Sequence, residues 1–166
     1  PLPVDRLGVP HRLEIEYPAD LRQGFSIRVI EADSSGEVTP INPASSLDVS
    51  PSASDLAGRN ERHQLVFWPR TKTPLLLIAN SRPDVPAVFG RIRVSAGPER
   101  LIPQILQASA TRRTIGSYYD RPLFAEEFGA SEAKDPATGR RLNDWTTYYD
   151  GATRWASYLA HVGYNG

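Results

Sequence analysis

Apolar and polar side chains alternate along several short stretches in the first hundred residues. In residues 11–17, Leu13, Ile15 and Tyr17 fall on one side of an extended chain, and the charged residues between them fall on the other. Residues 25–29 repeat this period of two, which is typical of strands with one buried face. The pattern therefore predicts two half-buried strands near the start of the chain.

Turn-forming residues separate these two strands from further short apolar stretches. Residues 38–49 allow one or two short strands broken by prolines, and residues 50–62 form a polar loop. Residues 64–68 and 75–79 flank a connector that begins and ends with proline, and this arrangement favours a hairpin. Residues 75–79 are apolar on both sides, as in a strand that is covered on two faces. Residues 88–94 complete the series. Six or seven short strands with no helix between them predict an antiparallel β-sandwich.

The period changes towards the end of the chain. Aromatic and aliphatic residues within residues 144–166 recur at steps of three and four, which predicts an amphipathic helix. Asn143 or Asp144 is suited to cap its start, and Gly163 is suited to end it in a left-handed turn. A helix with so much aromatic surface needs a partner, so we expect the chain to continue in a larger protein. The apolar face is formed by Trp145, Tyr148, Tyr149, Ala152, Trp155, Leu159 and Val162.

Composition narrows the possible partners and compartments. Lys+Arg and Asp+Glu both number 19, and this zero net charge argues against a nucleic-acid partner held through its phosphates. The absence of cysteine excludes disulfides, thiolate metal sites and cysteine nucleophiles. No apolar run approaches the roughly 20 residues that span a bilayer. No signal peptide is visible, and we expect a secreted or periplasmic protein whose signal peptide lies outside these residues.

Three carboxylates are weak catalytic candidates. Asp120, Glu126 and Glu127 lie between aromatic residues in YYDRPLFAEEFGA. Two carboxylates at a suitable separation can hydrolyse a glycosidic bond, and neighbouring aromatic rings can raise the pKa of a carboxyl by desolvation. The alternative interpretation is an ion pair between Asp120 and Arg121, with both glutamates solvated or at a helix start.

Aromatic residues provide the candidate for ligand binding. Trp68 lies at the end of a predicted strand, and an exposed indole offers a sugar a flat apolar surface with a polar edge. The alternative is that Trp68 closes the end of the sandwich, since large aromatic residues are usually buried. The two tryptophans of the predicted helix are better explained by packing.

The remaining polar residues indicate neither a metal site nor a cofactor. His11, His63 and His161 lack the spacing of metal ligands. The chain contains no G-x-S-x-G motif and no glycine-rich phosphate loop before a helix. Arg70 and Lys72 form a small basic spot in the proline-flanked connector, which we expect to be solvated.

Five strings carry a resemblance to a known family: HRLEIEYP, HQLVFWPRTKTPLLLIANS, AVFGRIRVSAGP, YYDRPLFAEEFGA and DWTTYYDGATRWASYLAHVGYNG. They are similar to bacterial family 10-type glycosylhydrolases over about residues 8–166. In such proteins an N-terminal β-rich region precedes a (β/α) barrel. With a boundary near Gly97, we predict a jelly-roll or galactose-binding-like sandwich over residues 1–97, including a proline-rich lead-in at 1–10. The resemblance implies that residues 98–166 are a connector and the first elements of a truncated barrel.

The expected function is that of an N-terminal accessory region of a glycoside hydrolase, not catalytic on its own. It would bind a polysaccharide or oligosaccharide through Trp68 and contact the remainder of its parent chain, with no nucleic acid, membrane span or cofactor. The alternative is a structural module that buttresses the barrel or mediates assembly, which an apolar surface patch would favour. A third hypothesis assigns part of the active site to Asp120 or Glu126.

Overall fold

The computed structural model describes residues 1–32, 36–51, 58–102, 133–134, 137, 141–142 and 145–164. This part of the chain is mainly β, with antiparallel sheets and one C-terminal helix. The first seven strands are β1 (His11–Pro18), β2 (Gln23–Ala32), β3 (Val38–Pro40), β4 (Ser45–Val49), β5 (Asn60–Phe67), β6 (Leu75–Asn80) and β7 (Ile92–Ala96). Strands β8 (Ala133–Lys134) and β9 (Arg141–Leu142) form a short antiparallel pair, and helix α1 spans Trp145–His161.

The first seven strands form two antiparallel sheets. In the first sheet, β1 lies between β5 and β7. In the second sheet, β2 is central, with β6 along one edge and β3 followed by β4 along the other. Ser26 shows this arrangement directly, because it faces Ser46 of β4 on one side and Ala79 of β6 on the other.

The inward faces of both sheets contribute to one hydrophobic core. Leu13 and Ile15 of β1 pack in the same cluster as Phe25, Ile27 and Val29 of β2, and all five are almost completely buried. This confirms the inward face that the period of two predicted for both strands. Burial of each such side chain contributes roughly 1.5–3 kcal/mol. Partly buried residues that complete the cluster are Leu47, Val49, Leu76, Ile78, Ala87, Ile92 and Val94.

The N-terminal segment is part of this core. Leu2 and Val4 are buried in the main cluster. The amide of Leu2 donates to the carbonyl of Pro74 at 2.7 Å, and the amide of Gly8 donates to the carbonyl of Pro69 at 2.8 Å. The residues expected to form a lead-in therefore pack along the connector between β5 and β6.

The connector between β5 and β6 crosses from one sheet to the other, so the predicted hairpin is wrong. Strand β5 pairs with β1, whereas β6 pairs with β2. The coverage of β6 on two faces is also not found, because Leu75 and Leu77 are 48% and 47% exposed while Leu76 and Ile78 pack on the core. The prolines keep the connector out of the hydrogen-bonded ladder of a sheet, but they do not determine which strand β5 or β6 pairs with.

Strands β3 and β4 are separated by an interruption, as the prolines predicted. The pairing of β2 shifts from Ile30 opposite Pro40 to Ile27 opposite Ser45. The fully buried Asn42 fills the gap, because its Oδ1 accepts the amide of Val29 at 2.6 Å. An amide side chain thus supplies the acceptor that the interrupted ladder lacks.

Helix α1 and its C-terminal stop are confirmed. Gly163 adopts a φ of 93°, where the amide of Gly163 donates to Ala160 at 3.2 Å and that of Tyr164 donates to Leu159 at 2.9 Å. This pair of hydrogen bonds is a Schellman motif, which satisfies the last carbonyl groups. The proposed caps, Asn143 and Asp144, lie outside the described residues. Within the described part of the chain, no helix combines the length and apolarity that crossing a membrane requires.

Candidate functional site

Helix α1 packs against the end of β5. Alternate residues of this strand face opposite ways, and Leu65 and Phe67 join the main core. Val66 and Trp68 point to the other side, where they form a second cluster with partly buried side chains. The partners in this cluster are Leu101, Trp155 and Tyr158. The end of β5 is therefore apolar on both faces because each face is covered by a different layer.

Trp68 contributes to this packing. The residue is only 3% exposed, so its indole does not present a free face of the kind on which a sugar ring stacks. Burial favours the packing interpretation of Trp68 over the predicted sugar-binding role. Trp155 also packs here, as the spacing of the helix indicated, and the side chain of Trp145 lies outside the described ones.

The buried face of α1 is rotated relative to the predicted one. Thr147 and Gly151 are buried, whereas Tyr149, which the pattern assigned to the apolar face, is 60% exposed. Tyr148 and Val162 are exposed as well. The aromatic residues extend beyond one narrow stripe of the helix and obscured the true face, since tyrosine occurs both in cores and at surfaces.

A cleft of about 450 Å³ opens beside this packing, and we call it the α1 cleft. One wall is the N-terminal segment at Gly8 and Pro10, and another is residues 99–101, which follow β7. Trp68 also lines it. The helix contributes a stripe at steps of one, three and four, which consists of Tyr149, Asp150, Thr153, Arg154 and Ser157.

The polar groups of the α1 cleft include acids and bases in equal number. Arg154 Nη2 lies 3.7 Å from Asp150 Oδ2, with the two side chains only 18% and 32% exposed. Burial lowers the pKa of Arg154, while the charge of Asp150 acts to raise it and that of Arg70 acts to lower it further. Glu99 and Arg100 add one charge of each sign to the lining. The cleft therefore offers both hydrogen-bond acceptors and donors without a net formal charge.

The basic spot predicted in the connector is solvated at Lys72, which is exposed, but not at Arg70. The Arg70 side chain is 14% exposed and lies 3.5 Å from the carboxylate of Glu31, which is itself 1% exposed. Glu31 also accepts the backbone amides of Arg70 and Thr71, each at 3.0 Å, and Arg70 donates to Thr39 Oγ1 at 3.1 Å. This network holds the connector between the sheets in place.

A serine and a histidine link the free edges of the two sheets. Ser45 Oγ of β4 and His63 Nε2 of β5 are 2.7 Å apart. Burial lowers the pKa of His63, which favours the neutral ring. A nucleophilic serine site also needs a group that orients the histidine, and no described carboxylate contacts His63 by a hydrogen bond or ion pair. The pair therefore acts as a hydrogen bond between sheets.

Of the other histidines, His11 and His161 line one pocket next to β1 and β7. Buried His11 donates from Nδ1 to the carbonyl of Val9 at 3.0 Å, and its ring lies against Phe67. Among the residues that the structure describes, no group of three potential ligands is arranged to hold a metal ion. The catalytic candidates Asp120, Glu126 and Glu127 lie outside the described residues.

Comparison with other proteins adds no relative. No family model, no curated protein and no solved structure matches the chain.

The α1 cleft was not predicted from the sequence, although the sequence contains one signal for it. Asp150 and Arg154 carry opposite charges four residues apart on a helix, and Tyr149 precedes them directly.

Proposed function

We propose that this chain is a non-catalytic accessory region whose β-rich part, an antiparallel sandwich, buttresses the helical segment that follows it. The packing between α1 and the outer side of β5 supports this proposal. Val66 and Trp68 are buried there together with partly buried Trp155 and Tyr158, none of which belongs to the main core. A β-rich unit linked to the helix only by a tether would leave both surfaces in water.

The resemblance to family 10-type glycosylhydrolases favours a position in front of a (β/α) barrel. In this proposal α1 is an early barrel helix, and the parent protein is a secreted or periplasmic enzyme that acts on polysaccharides. A buried aromatic cluster suits the buttressing role, because the cluster would fix the orientation of α1 on which the remaining barrel elements pack. The burial of Trp68 makes buttressing the better supported of the two roles considered for the β-rich part.

A double-mutant cycle across the contact tests the buttress. Trp155→Ala is expected to destabilise the chain by about 3 kcal/mol, and Val66→Ala by less, since each removes buried apolar atoms. Because the two residues belong to one cluster, their effects should depart from additivity by about 0.5 kcal/mol or more. Urea unfolding measures each variant.

Tyr149→Ala is the matched control on the same helix. Its exposed ring should contribute less than about 0.5 kcal/mol. Strict additivity of Val66→Ala and Trp155→Ala, or a loss at Trp155 no larger than that at Tyr149, would contradict a contact that supports the helix.

The absence of catalysis is tested by incubating the chain with soluble polysaccharides and aryl glycosides. No release of reducing ends is expected. Hydrolysis that is abolished by Glu126→Gln or Glu127→Gln would overturn the accessory role and support the hypothesis that this region carries part of an active site.

A further inference from the structure

The α1 cleft has the size of a small-molecule site. Its volume of about 450 Å³ lies within the range of roughly 300–1,000 Å³ that is typical of ligand pockets. Four segments that are far apart in the sequence converge on it, namely the N-terminal segment at Gly8, Trp68, residues 99–101 and α1. Gly8 adopts a φ of 70°, which favours glycine, and a Cβ at this position would lie 3.8 Å from Arg154 Nη2.

The charges of the cleft match a neutral ligand with many hydroxyl groups. Carboxylates only accept hydrogen bonds and guanidinium groups only donate them, whereas a hydroxyl does both. Asp150 and Arg154 lie 3.7 Å apart, so neighbouring hydroxyl groups of one ligand can pair with both. A ligand with a net charge would meet a like charge beside each opposite one, which is unfavourable in a partly desolvated site.

An aromatic ring at the cleft adds an apolar surface. Tyr149 lines the cleft and is 60% exposed, so its ring is accessible to a ligand. Such a ring combines an apolar face with a polar edge, and this combination suits a molecule with an apolar ring face and polar rim. Thr153 and Ser157 line the same helix side one and two turns further along, and Ser157 Oγ donates to the carbonyl of Thr153 at 2.8 Å.

We propose that the α1 cleft binds a neutral sugar of one or two pyranose rings, with Tyr149 against the ring face and Asp150 and Arg154 bonded to its hydroxyl groups. This inference goes beyond the buttressing role and replaces Trp68 by Tyr149 as the aromatic contact. Trp68, which is 3% exposed, lines the cleft without offering a free ring face.

Titration with defined sugars tests the site. The probes are glucose, xylose and their β-1,4-linked dimers, compared with glucuronate as a charged sugar and glycine as a small zwitterion. Isothermal titration calorimetry and ligand-observed NMR on the full chain measure binding. A neutral sugar is expected to bind with a dissociation constant of about 1 mM or lower, more tightly than glucuronate or glycine.

Two neighbouring tyrosines provide the variant and its control. Tyr149→Ala should weaken sugar binding about tenfold, which corresponds to ~1.4 kcal/mol. Tyr148→Ala changes the adjacent tyrosine of the same helix, which does not line the cleft, and should leave binding within about twofold. Unfolding curves of both variants establish that the helix remains packed, so a loss of binding is separable from a loss of the buttress.

Several results would overturn the proposal. These are the absence of binding by every neutral sugar, tighter binding of glucuronate or glycine, and equal effects of Tyr149→Ala and Tyr148→Ala. None of them bears on the cluster of Val66 and Trp155, whose test is independent.

Discussion

Replacement of Glu31 by glutamine tests how the connector between the two sheets is held. The carboxylate of Glu31 is buried and accepts the backbone amides of Arg70 and Thr71, each at 3.0 Å, and the hydroxyl of Thr71 at 3.1 Å. Glutamine keeps the shape of the side chain, but its NH₂ group cannot accept a hydrogen bond from an amide. Arg70 also loses the negative charge that lies 3.5 Å from its Nε.

The expected loss follows from these contacts. A buried amide without an acceptor costs about 1–3 kcal/mol. Removal of one partner of a buried ion pair costs about 3–5 kcal/mol, and the upper end is reduced here because Arg70 retains some contact with water. We therefore expect Glu31→Gln to lower the free energy of unfolding by about 3–4 kcal/mol. For a chain of this size, each kcal/mol corresponds to roughly 2–4 °C in the melting temperature.

Urea unfolding followed by tryptophan fluorescence measures the loss, with Glu16→Gln as the matched control. Glu16 pairs with Arg62 at 3.6 Å on the surface, where Arg62 is mostly exposed, so this change should cost less than about 1 kcal/mol. Trypsin gives a local measurement, because Arg70 and Lys72 are cleavage sites within the connector. Glu31→Gln should accelerate cleavage there.

A loss in Glu31→Gln no larger than that in Glu16→Gln would refute this reasoning. An unchanged rate of trypsin cleavage at the connector would do the same, since it would show that the connector is held by other contacts.

Two further changes test the packing of the sheets. Burial holds the pKa of His63 below its ordinary value of about 6.5, so the unfolded chain binds a proton that the folded chain does not, and stability should fall as pH drops below about 6.5. His63→Gln should reduce the difference in urea midpoint between about pH 8 and pH 5, and an unchanged difference would exclude this contribution. Gly97→Ala should destabilise by about 1–3 kcal/mol, because a Cβ at this position would lie 2.5 Å from the carbonyl oxygen of Pro10. In Gly90→Ala, the nearest atom would be 3.7 Å away, and equal melting temperatures of the two alanine variants would contradict the steric argument.

Local patterns identified the elements but not their neighbours. The alternation in β1 and β2 revealed which side chains face inward, because each strand presents every second residue to one face whatever it pairs with. The end of α1 was equally local, since the two hydrogen bonds of its motif link residues only three and five positions apart, Gly163 to Ala160 and Tyr164 to Leu159. The pairing of β5 and β6 was predicted wrongly, because a hairpin and a crossover can share the same turn residues.

The amino-acid sequence by itself determined the approximate positions of β1–β7, the helix and its stop, and the inward faces of β1 and β2, but not the short pair β8 and β9. Only the tertiary structure decided that Glu31 accepts a hydrogen bond from the amide of Arg70, 39 residues later in the chain. It alone also decided that Trp68 is buried against α1 and that Tyr149 lines a cleft. The reason is physical. Periodicity reports the environment of one element, whereas the partner of a buried charge or an aromatic ring depends on which distant segment packs against it.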